Sequence, residues 1–361
     1  MRLLIVTNDF PPKPGGIQQY LGNLADALPG EVRILAPADD GDDGRVARDR
    51  RSFMWPTRRV RRWVIGEVED FRPDVVLYGA PYPLPTMGPA VRKATGVPYA
   101  VLCHGAEITA PAAFPITRQL LAHPLKKADA LLAVSRFTVG RVERLTKRPA
   151  VYVGAGVDVE AFHPGPAPLG TPLVGCVSRF VPRKGQGRVI EAVASLRGSG
   201  IDVEALLVGK GRDEARLRRL AARLEVPVRF EVDVPWADLP GLYREMAAFV
   251  MPCRSRWFGL EVEGLGLVFL EAAASGLPVL AGDSGGSPET VDPGVTGFVV
   301  ADDGHIFEGL RMVLEDPEMA AAMGIAGRER VLSQFTWRAA AARLTDGLAG
   351  LLEGDDPGTP S

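Results

Sequence analysis

Short apolar runs alternate with longer amphipathic stretches along most of this 361-residue chain. Residues 3–7, 32–36, 75–78, 99–103, 131–134 and 151–153 form runs rich in aliphatic side chains, with no alternation of polar and apolar positions. Strands that are apolar on both sides are buried on both faces, as in a parallel sheet covered by helices. Between them, segments such as 17–28 and 60–70 repeat apolar residues at helical spacing. The pattern breaks at 163–172, HPGPAPLGTP. Its prolines and glycines exclude a helix interior or a central strand, so it reads as an inter-domain linker. A second series follows at 173–177, 203–208, 228–232, 248–251, 279–281 and 298–300. Strand–helix alternation in two series predicts an α/β protein of two Rossmann-like domains, their parallel sheets facing a central cleft. The expected domains are 1–165 and 173–335, with ligands near the C-terminal strand ends. A helix over 336–352 is expected to pack back on the first domain, and the polar tail 353–361 to be disordered.

Composition narrows the class. Apolar residues make up 46% of the chain and charged residues 24%, which excludes a disordered chain, a collagen and a disulfide scaffold. The net charge of −2 excludes a uniformly basic nucleic-acid binder. The balance is nevertheless uneven. Residues 1–165 hold 22 Lys and Arg against 17 Asp and Glu, and the remainder 20 against 27. A basic first half on an acidic whole points to an anionic partner. Cys103, Cys176 and Cys253 stand far apart, a usage that fits buried thiols in a reducing cytoplasm. The apolar run near the N-terminus is too short for a secretion signal, and no stretch approaches the roughly 20 apolar residues of a membrane span.

Three segments carry candidate chemistry. Gly15 and Gly16 end the first strand–helix turn, FPPKPGGIQQY, where glycine admits close approach of a ligand and a helix N-terminus favours an anion. The spacing is not G-x-G-x-x-G, so the dinucleotide fingerprint is missing. In SRFVPRKGQ, Arg179 and Lys184 flank the turn after the second domain's first strand. A guanidinium fork and an ammonium there can hold one pyrophosphate. In EVEGLGLVFLEAAASGLPVLA, Glu263 precedes a helix expected from Leu267, and Glu271 lies within it. Both carboxylates can accept sugar hydroxyls in one pocket, while the amides of Gly266, Leu267 and Val268 suit a phosphate. An acid in so apolar a helix needs a reason.

In this order and spacing, GGIQQY, SRFVPRKG and the E-x(7)-E element resemble those of retaining GT-B glycosyltransferases of family 4, over nearly the whole chain. VEGLGLVFLEA and the Arg-rich first-domain helix most resemble the bacterial branch that adds a second mannose to a phosphatidylinositol monomannoside. The resemblance implies a nucleotide-sugar donor, GDP-mannose in that branch, and no required metal or other cofactor. It implies that Gly16 meets the donor β-phosphate or sugar, that Arg179 and Lys184 hold the diphosphate, that Glu263 binds donor-sugar hydroxyls and Glu271 the ribose. His104, in VLCHGAE, would face the donor sugar and the reaction centre. The stretch 232–243 resembles a base-binding loop, with Val232 at its start. Asp40 and Asp42 form a D-x-D, the metal signature of a different glycosyltransferase fold, but DDGDDG has the composition of a solvated loop.

Residues 45–62 contain eight arginines against one aspartate, interleaved with Phe53, Met54 and Trp55. A helix from about Thr57 would group Arg58, Arg59, Arg61 and Arg62 on one broad face, with Val60, Trp63 and Val64 beside it. That composition suits the surface of an anionic membrane, the inner leaflet of the plasma membrane, and an anionic lipid acceptor. No nucleic-acid motif accompanies it. The alternatives are a family-4 enzyme with another nucleotide sugar and a soluble acceptor, a bilobal epimerase, a non-catalytic nucleotide-sugar-binding module, and a basic nucleic-acid-binding protein, which steep salt dependence toward DNA would mark.

Overall fold

The computed structural model describes residues 1–41, 44–109, 115–166 and 169–352. Asp42, positions 167–168 of the proline-rich segment and the tail 353–361 lie outside the described residues. The chain forms two compact units, one of Met1–Gly156 with the segment from Trp337 onward, the other of Val157–Thr336.

The first unit is built on seven strands: β1 (Arg2–Val6), β2 (Glu31–Ala36), β3 (Val46–Arg48), β4 (Val75–Tyr78), β5 (Tyr99–Cys103), β6 (Ala130–Ala133) and β7 (Val151–Tyr152). Their order is β3-β2-β1-β4-β5-β6-β7, and each neighbouring pair is parallel. Leu3, Leu4, Ile5 and Val6 are fully buried, the burial on both faces that their unbroken apolar run requires. Helices α1 (Gly16–Ala27), α2 (Arg58–Phe71), α3 (Gly88–Thr95), α4 (Ala106–Thr109), α5 (Pro115–Lys127) and α6 (Arg136–Thr146) connect the strands. Strand β3 has no counterpart in the sequence reading. It is three residues long and half-buried at the sheet edge, so its pairing leaves no hydrophobic signature.

Helix α2 begins where Thr57 caps it by accepting from the Val60 amide, and it buries Val60, Val64, Val68 and Phe71. These recur at the spacing of one helical stripe. Val60 and Val64 therefore belong to the core rather than to an outward-facing surface beside the arginines.

The second unit carries β8 (Leu173–Val177), β9 (Glu204–Val208), β10 (Val228–Glu231), β11 (Ala248–Met251), β12 (Val279–Gly282) and β13 (Gly297–Val300). The order is β10-β9-β8-β11-β12-β13, again parallel throughout. Its helices are α7 (Gln186–Gly198), α8 (Glu214–Arg223), α9 (Leu239–Arg244), α10 (Leu267–Ala274), α11 (Asp303–Glu315) and α12 (Pro317–Gln334). The unit starts at Val157, before the proline-rich segment read as the linker. Phe162 is buried edge-on to Tyr243, and Arg328 donates to the carbonyls of Phe162 and Val159. These contacts tie the residues ahead of the prolines to the second unit.

The last helix, α13 (Trp337–Leu352), belongs to the first unit. It buries Ala340, Ala341, Leu344 and Leu348, and Arg343 Nε donates to the Val153 carbonyl at 2.7 Å. All three cysteines are buried. Among the described residues no helix is long and apolar enough to cross a membrane.

Candidate active site

In the second unit the chain leaves β8 through a turn that ends at Gly185. A Cβ on Gly185, whose φ is +80°, would lie 2.5 Å from the Pro252 carbonyl oxygen, so only glycine fits. This turn sets Arg183 and Lys184 onto Glu263, about 80 residues on. Lys184 Nζ donates to Glu263 Oε2 at 2.7 Å, and Arg183 donates to the same oxygen. The three side chains are 10%, 9% and 11% exposed. Burial pushes the Glu263 carboxyl pKa up, but the adjacent Lys184 and Arg183 outweigh it and hold it at about 2. One carboxylate thus faces two cations and leaves a surplus positive charge in a nearly dry site. Glu261, 3.6 Å from Arg183, is 39% exposed and compensates only weakly.

Arg179, which the sequence paired with Lys184, makes no ion pair with Glu263 among the described residues. Its side chain is exposed at the end of β8, and its carbonyl accepts from Gln186. Arg183 is the residue the sequence reading missed. It sits beside Lys184 in PRKG, and only folding brings it to a carboxylate so distant in sequence.

Helix α10 starts after Gly266, whose φ of +92° places a Cβ 2.6 Å from the Phe269 ring. The first amides of a helix, here from Leu267 and Val268, have no acceptor within it. Glu271 lies on the buried side of α10 and accepts from the Tyr243 hydroxyl at 2.8 Å. Phe249 packs between Tyr243 and Phe269, 5.8 Å from each ring centroid. Burial raises the Glu271 pKa to about 7, although the Tyr243 hydrogen bond pulls it down. The two glutamates of the E-x(7)-E element have separate partners: cations at Glu263, a phenol at Glu271. Val232 follows β10 half-buried, just before Asp233 in a left-handed conformation.

The Glu271 environment predicts a pH effect. A carboxyl whose folded pKa exceeds its unfolded value of 4.5 favours folding while protonated, and that contribution is lost as pH rises through about 7. The loss amounts to at most about 3 kcal/mol. Glu271→Gln keeps an acceptor for Tyr243 and removes this slope, so urea melts between pH 5 and pH 8 should flatten. If Glu271 receives ribose hydroxyls, the variant also weakens nucleoside diphosphate roughly ten- to a hundredfold, the range of lost charged hydrogen bonds. Equal pH slopes in both proteins would mean that Glu271 is not a buried carboxyl with a raised pKa.

In the first unit Gly15 precedes α1 with a φ of +155°, and a Cβ there would meet Gln18 Oε1 at 2.1 Å. A Cβ on Gly16, which opens the helix, would meet nothing within 4 Å, so the start of α1 is open to approach. His104 follows β5 and is buried. Its Nε2 lies 2.8 Å from the Gly79 carbonyl, which can only accept, so Nε2 carries the proton. Its backbone amide is held by the Glu107 carboxylate, and its ring stands edge-on to Tyr20 at 5.2 Å. Nearby, Asp9 accepts from Gln18 at 2.7 Å, and burial raises its pKa against the pull of His104 and Lys13.

The Arg-rich segment is divided by the fold. Arg48 donates to the carbonyls of Gly41, Pro37 and Pro11, and Arg59 is ion-paired with the buried Asp49. Trp63 is half-buried against the core and donates to Glu67 at 3.0 Å. Arg58 and Arg62 remain exposed and Arg61 half-exposed. Phe53 and Trp55 are also exposed, their ring centroids 5.0 Å apart. The broad arginine face with Val60, Trp63 and Val64 is therefore narrower than the helical spacing implied. Asp40 is exposed, and among the described residues no three His, Cys, Asp or Glu side chains gather as a metal site.

Two family models match the chain: "Glycosyltransferase Family 4" over residues 14–161 and "Glycosyl transferases group 1" over 159–330. A protein of Mycolicibacterium smegmatis named GDP-mannose-dependent alpha-(1-6)-phosphatidylinositol monomannoside mannosyltransferase is 38% identical, over 97% of this chain and 99% of its own. The Corynebacterium glutamicum protein named for the monoacylated form of that acceptor is 36% identical, over 96% and 97%. Among solved structures, sucrose-phosphate synthase from Thermosynechococcus elongatus superposes with a TM-score of 0.81 at 21% identity, covering 98% of this chain and 100% of that one. That likeness bears on the fold alone. Parallel sheets in two Rossmann-like units, both family models and full-length relatives agree, and the chain belongs to the family 4/group 1 glycosyltransferases of the GT-B fold.

Proposed function

We propose that this glycosyltransferase moves mannose from GDP-mannose to a phosphatidylinositol monomannoside, forming an α-1,6 linkage with retention at the anomeric carbon. The observation that carries this reading is the near-complete coverage, 97% and 99%, of a relative named for that activity. The charge distribution supports it. A departing nucleoside diphosphate gains negative charge on its β-phosphate, and the surplus cation beside Glu263 meets that charge. In this reading Lys184 and Arg179 hold the diphosphate, with amides from Gly266, Leu267 and Val268. Glu263 receives donor-sugar hydroxyls and Glu271 the ribose, with Val232 near the base. Gly15, Gly16 and His104 serve the donor from the first unit.

The anomeric carbon–oxygen bond to the β-phosphate breaks, and the acceptor hydroxyl oxygen bonds to that carbon on the same face. The acceptor's proton passes to the departing phosphate oxygen, leaving GDP and the glycoside. The acceptor is an anionic lipid, so the enzyme works peripherally at the cytoplasmic face of the plasma membrane. On the first unit, Arg58, Arg61 and Arg62 with the Phe53–Trp55 pair form the contact.

The test is transfer assayed across a panel of nucleotide sugars, with lipid and soluble acceptors. GDP-mannose with phosphatidylinositol monomannoside should give the highest kcat/KM. Preference for another donor and a water-soluble acceptor replaces this reading with the alternative. Activity should also persist in EDTA, because Lys184 and Arg179 supply the charge that Mg²⁺ supplies in metal-dependent transferases. Complete loss restored by Mg²⁺ or Mn²⁺ would give the Asp40–Asp42 pair a role.

A further inference from the structure

The second unit carries an aromatic tip to which the donor reading above assigns no role. Between β11 and α10 the chain doubles back: the Arg256 amide donates to the Glu261 carbonyl at 2.9 Å, and the Glu261 amide returns to Arg256 at 3.2 Å. At the tip, Trp257 and Phe258 have φ of 53° and 55°. Left-handed backbone is uncommon for bulky residues, and two in succession need support from their surroundings. Here that support is the paired Arg256–Glu261 base and the Arg256 guanidinium 5.5 Å from the Trp257 ring. The result holds Trp257 65% exposed and Phe258 fully exposed.

The base of the tip is attached to the charged cluster. The Arg254 amide donates to the Arg183 carbonyl at 3.0 Å, and Glu261 lies 3.6 Å from the Arg183 guanidinium. The Arg254 side chain is exposed, with no carboxylate partner among the described residues. Two aromatic rings with an unneutralised arginine match the headgroup–acyl boundary of a bilayer carrying anionic lipid: the rings enter the boundary and the guanidinium meets phosphate.

We propose that the Trp257–Phe258 tip is a membrane contact of the second unit, which seats it on a phosphatidylinositol-containing surface. The proposal rests on the lipid-acceptor reading above. Arg183 touches both Glu263 and the base of the tip, so the contact is anchored beside a residue proposed to bind the donor sugar.

The experiment compares wild type with Trp257→Ser/Phe258→Ser. The probes are vesicles of phosphatidylcholine with phosphatidylinositol, vesicles of pure phosphatidylcholine, and free GDP. The double variant should lose about tenfold or more in binding to phosphatidylinositol vesicles, the order expected for two exposed aromatics that no longer insert. Wild type should bind pure phosphatidylcholine more weakly. GDP affinity should stay unchanged, which also reports that the unit is folded. Transfer to vesicle-borne phosphatidylinositol monomannoside should fall in parallel, while transfer to its deacylated, water-soluble form holds.

Unchanged vesicle binding overturns the proposal. So does an equal loss on both acceptors, which would place the tip in the reaction itself. Self-association of wild type that the variant lacks, without vesicle binding, would assign the tip to a second copy of the chain and overturn it too. If wild type binds phosphatidylinositol vesicles through the tip yet mannosylates no phosphatidylinositol lipid, the acceptor reading has failed and the membrane contact stands.

Discussion

Glu263→Gln should lower the stability of the free protein by about 3–5 kcal/mol, the cost of leaving a buried charge without its partner. Arg183 and Lys184 would then share a nearly dry site with no carboxylate between them. For a unit of this size the melting temperature should fall by roughly 10 °C. Added phosphate or GDP should recover much of that loss, because an anion replaces the missing carboxylate and binds only the folded state. Transfer should collapse, since Glu263 is proposed to receive the donor-sugar hydroxyls. Affinity for GDP alone should hold or rise, because Lys184 no longer has to leave Glu263 to reach the diphosphate. Calorimetric melts with and without GDP, together with a GDP titration, test all three parts. An unchanged melting temperature means the cluster is not the buried ion pair described. A parallel fall in GDP affinity and transfer contradicts the assignment of Glu263 to the sugar.

Lys184→Ala should reduce transfer about 10²–10³-fold, or roughly 2.7–4 kcal/mol, the range for one lost electrostatic donor at a developing anion. Arg179→Ala should act in the same direction. Stability should change less than in Glu263→Gln, because Arg183 still neutralises Glu263. GDP affinity should fall together with kcat/KM, whereas GMP, which lacks the leaving phosphate, should be less affected. Arg183→Met serves as the contrast. It removes one of the two cations that hold the Glu263 pKa at about 2, so the acid limb of the pH–rate profile should move upward while Lys184 remains for the diphosphate. Near-normal turnover in Lys184→Ala would remove that residue from the diphosphate site. An acid limb that stays put in Arg183→Met would mean that Lys184 alone suffices to keep Glu263 ionised.

The two βα series were legible because parallel strands buried on both faces leave continuous apolar runs, and β1, β4, β5, β8 and β11 lie where those runs stand. Helix α10 begins at Leu267 and α2 follows Thr57, where helices were expected to start. Gly15, Gly16, Lys184, Glu263 and Glu271 were legible as candidates because turn glycines and a lone acid in an apolar helix are local signals. Tertiary structure alone decided what each one touches. The pairing of Arg183 and Lys184 with Glu263 spans about 80 residues, and no local pattern encodes a contact at that separation. The edge strand β3 and the start of the second unit at Val157 were hidden for a related reason: one is too short to leave a hydrophobic period, and the other is set by Phe162 packing rather than by prolines. The arginine segment shows the same limit. Composition determined that it is basic, but only the fold decided that Arg48 and Arg59 are used internally, that Val60 and Val64 face the core, and that Arg58 and Arg62 stay in water. Charge and hydropathy are properties of a residue, whereas burial and partnership depend on what the rest of the chain brings beside it.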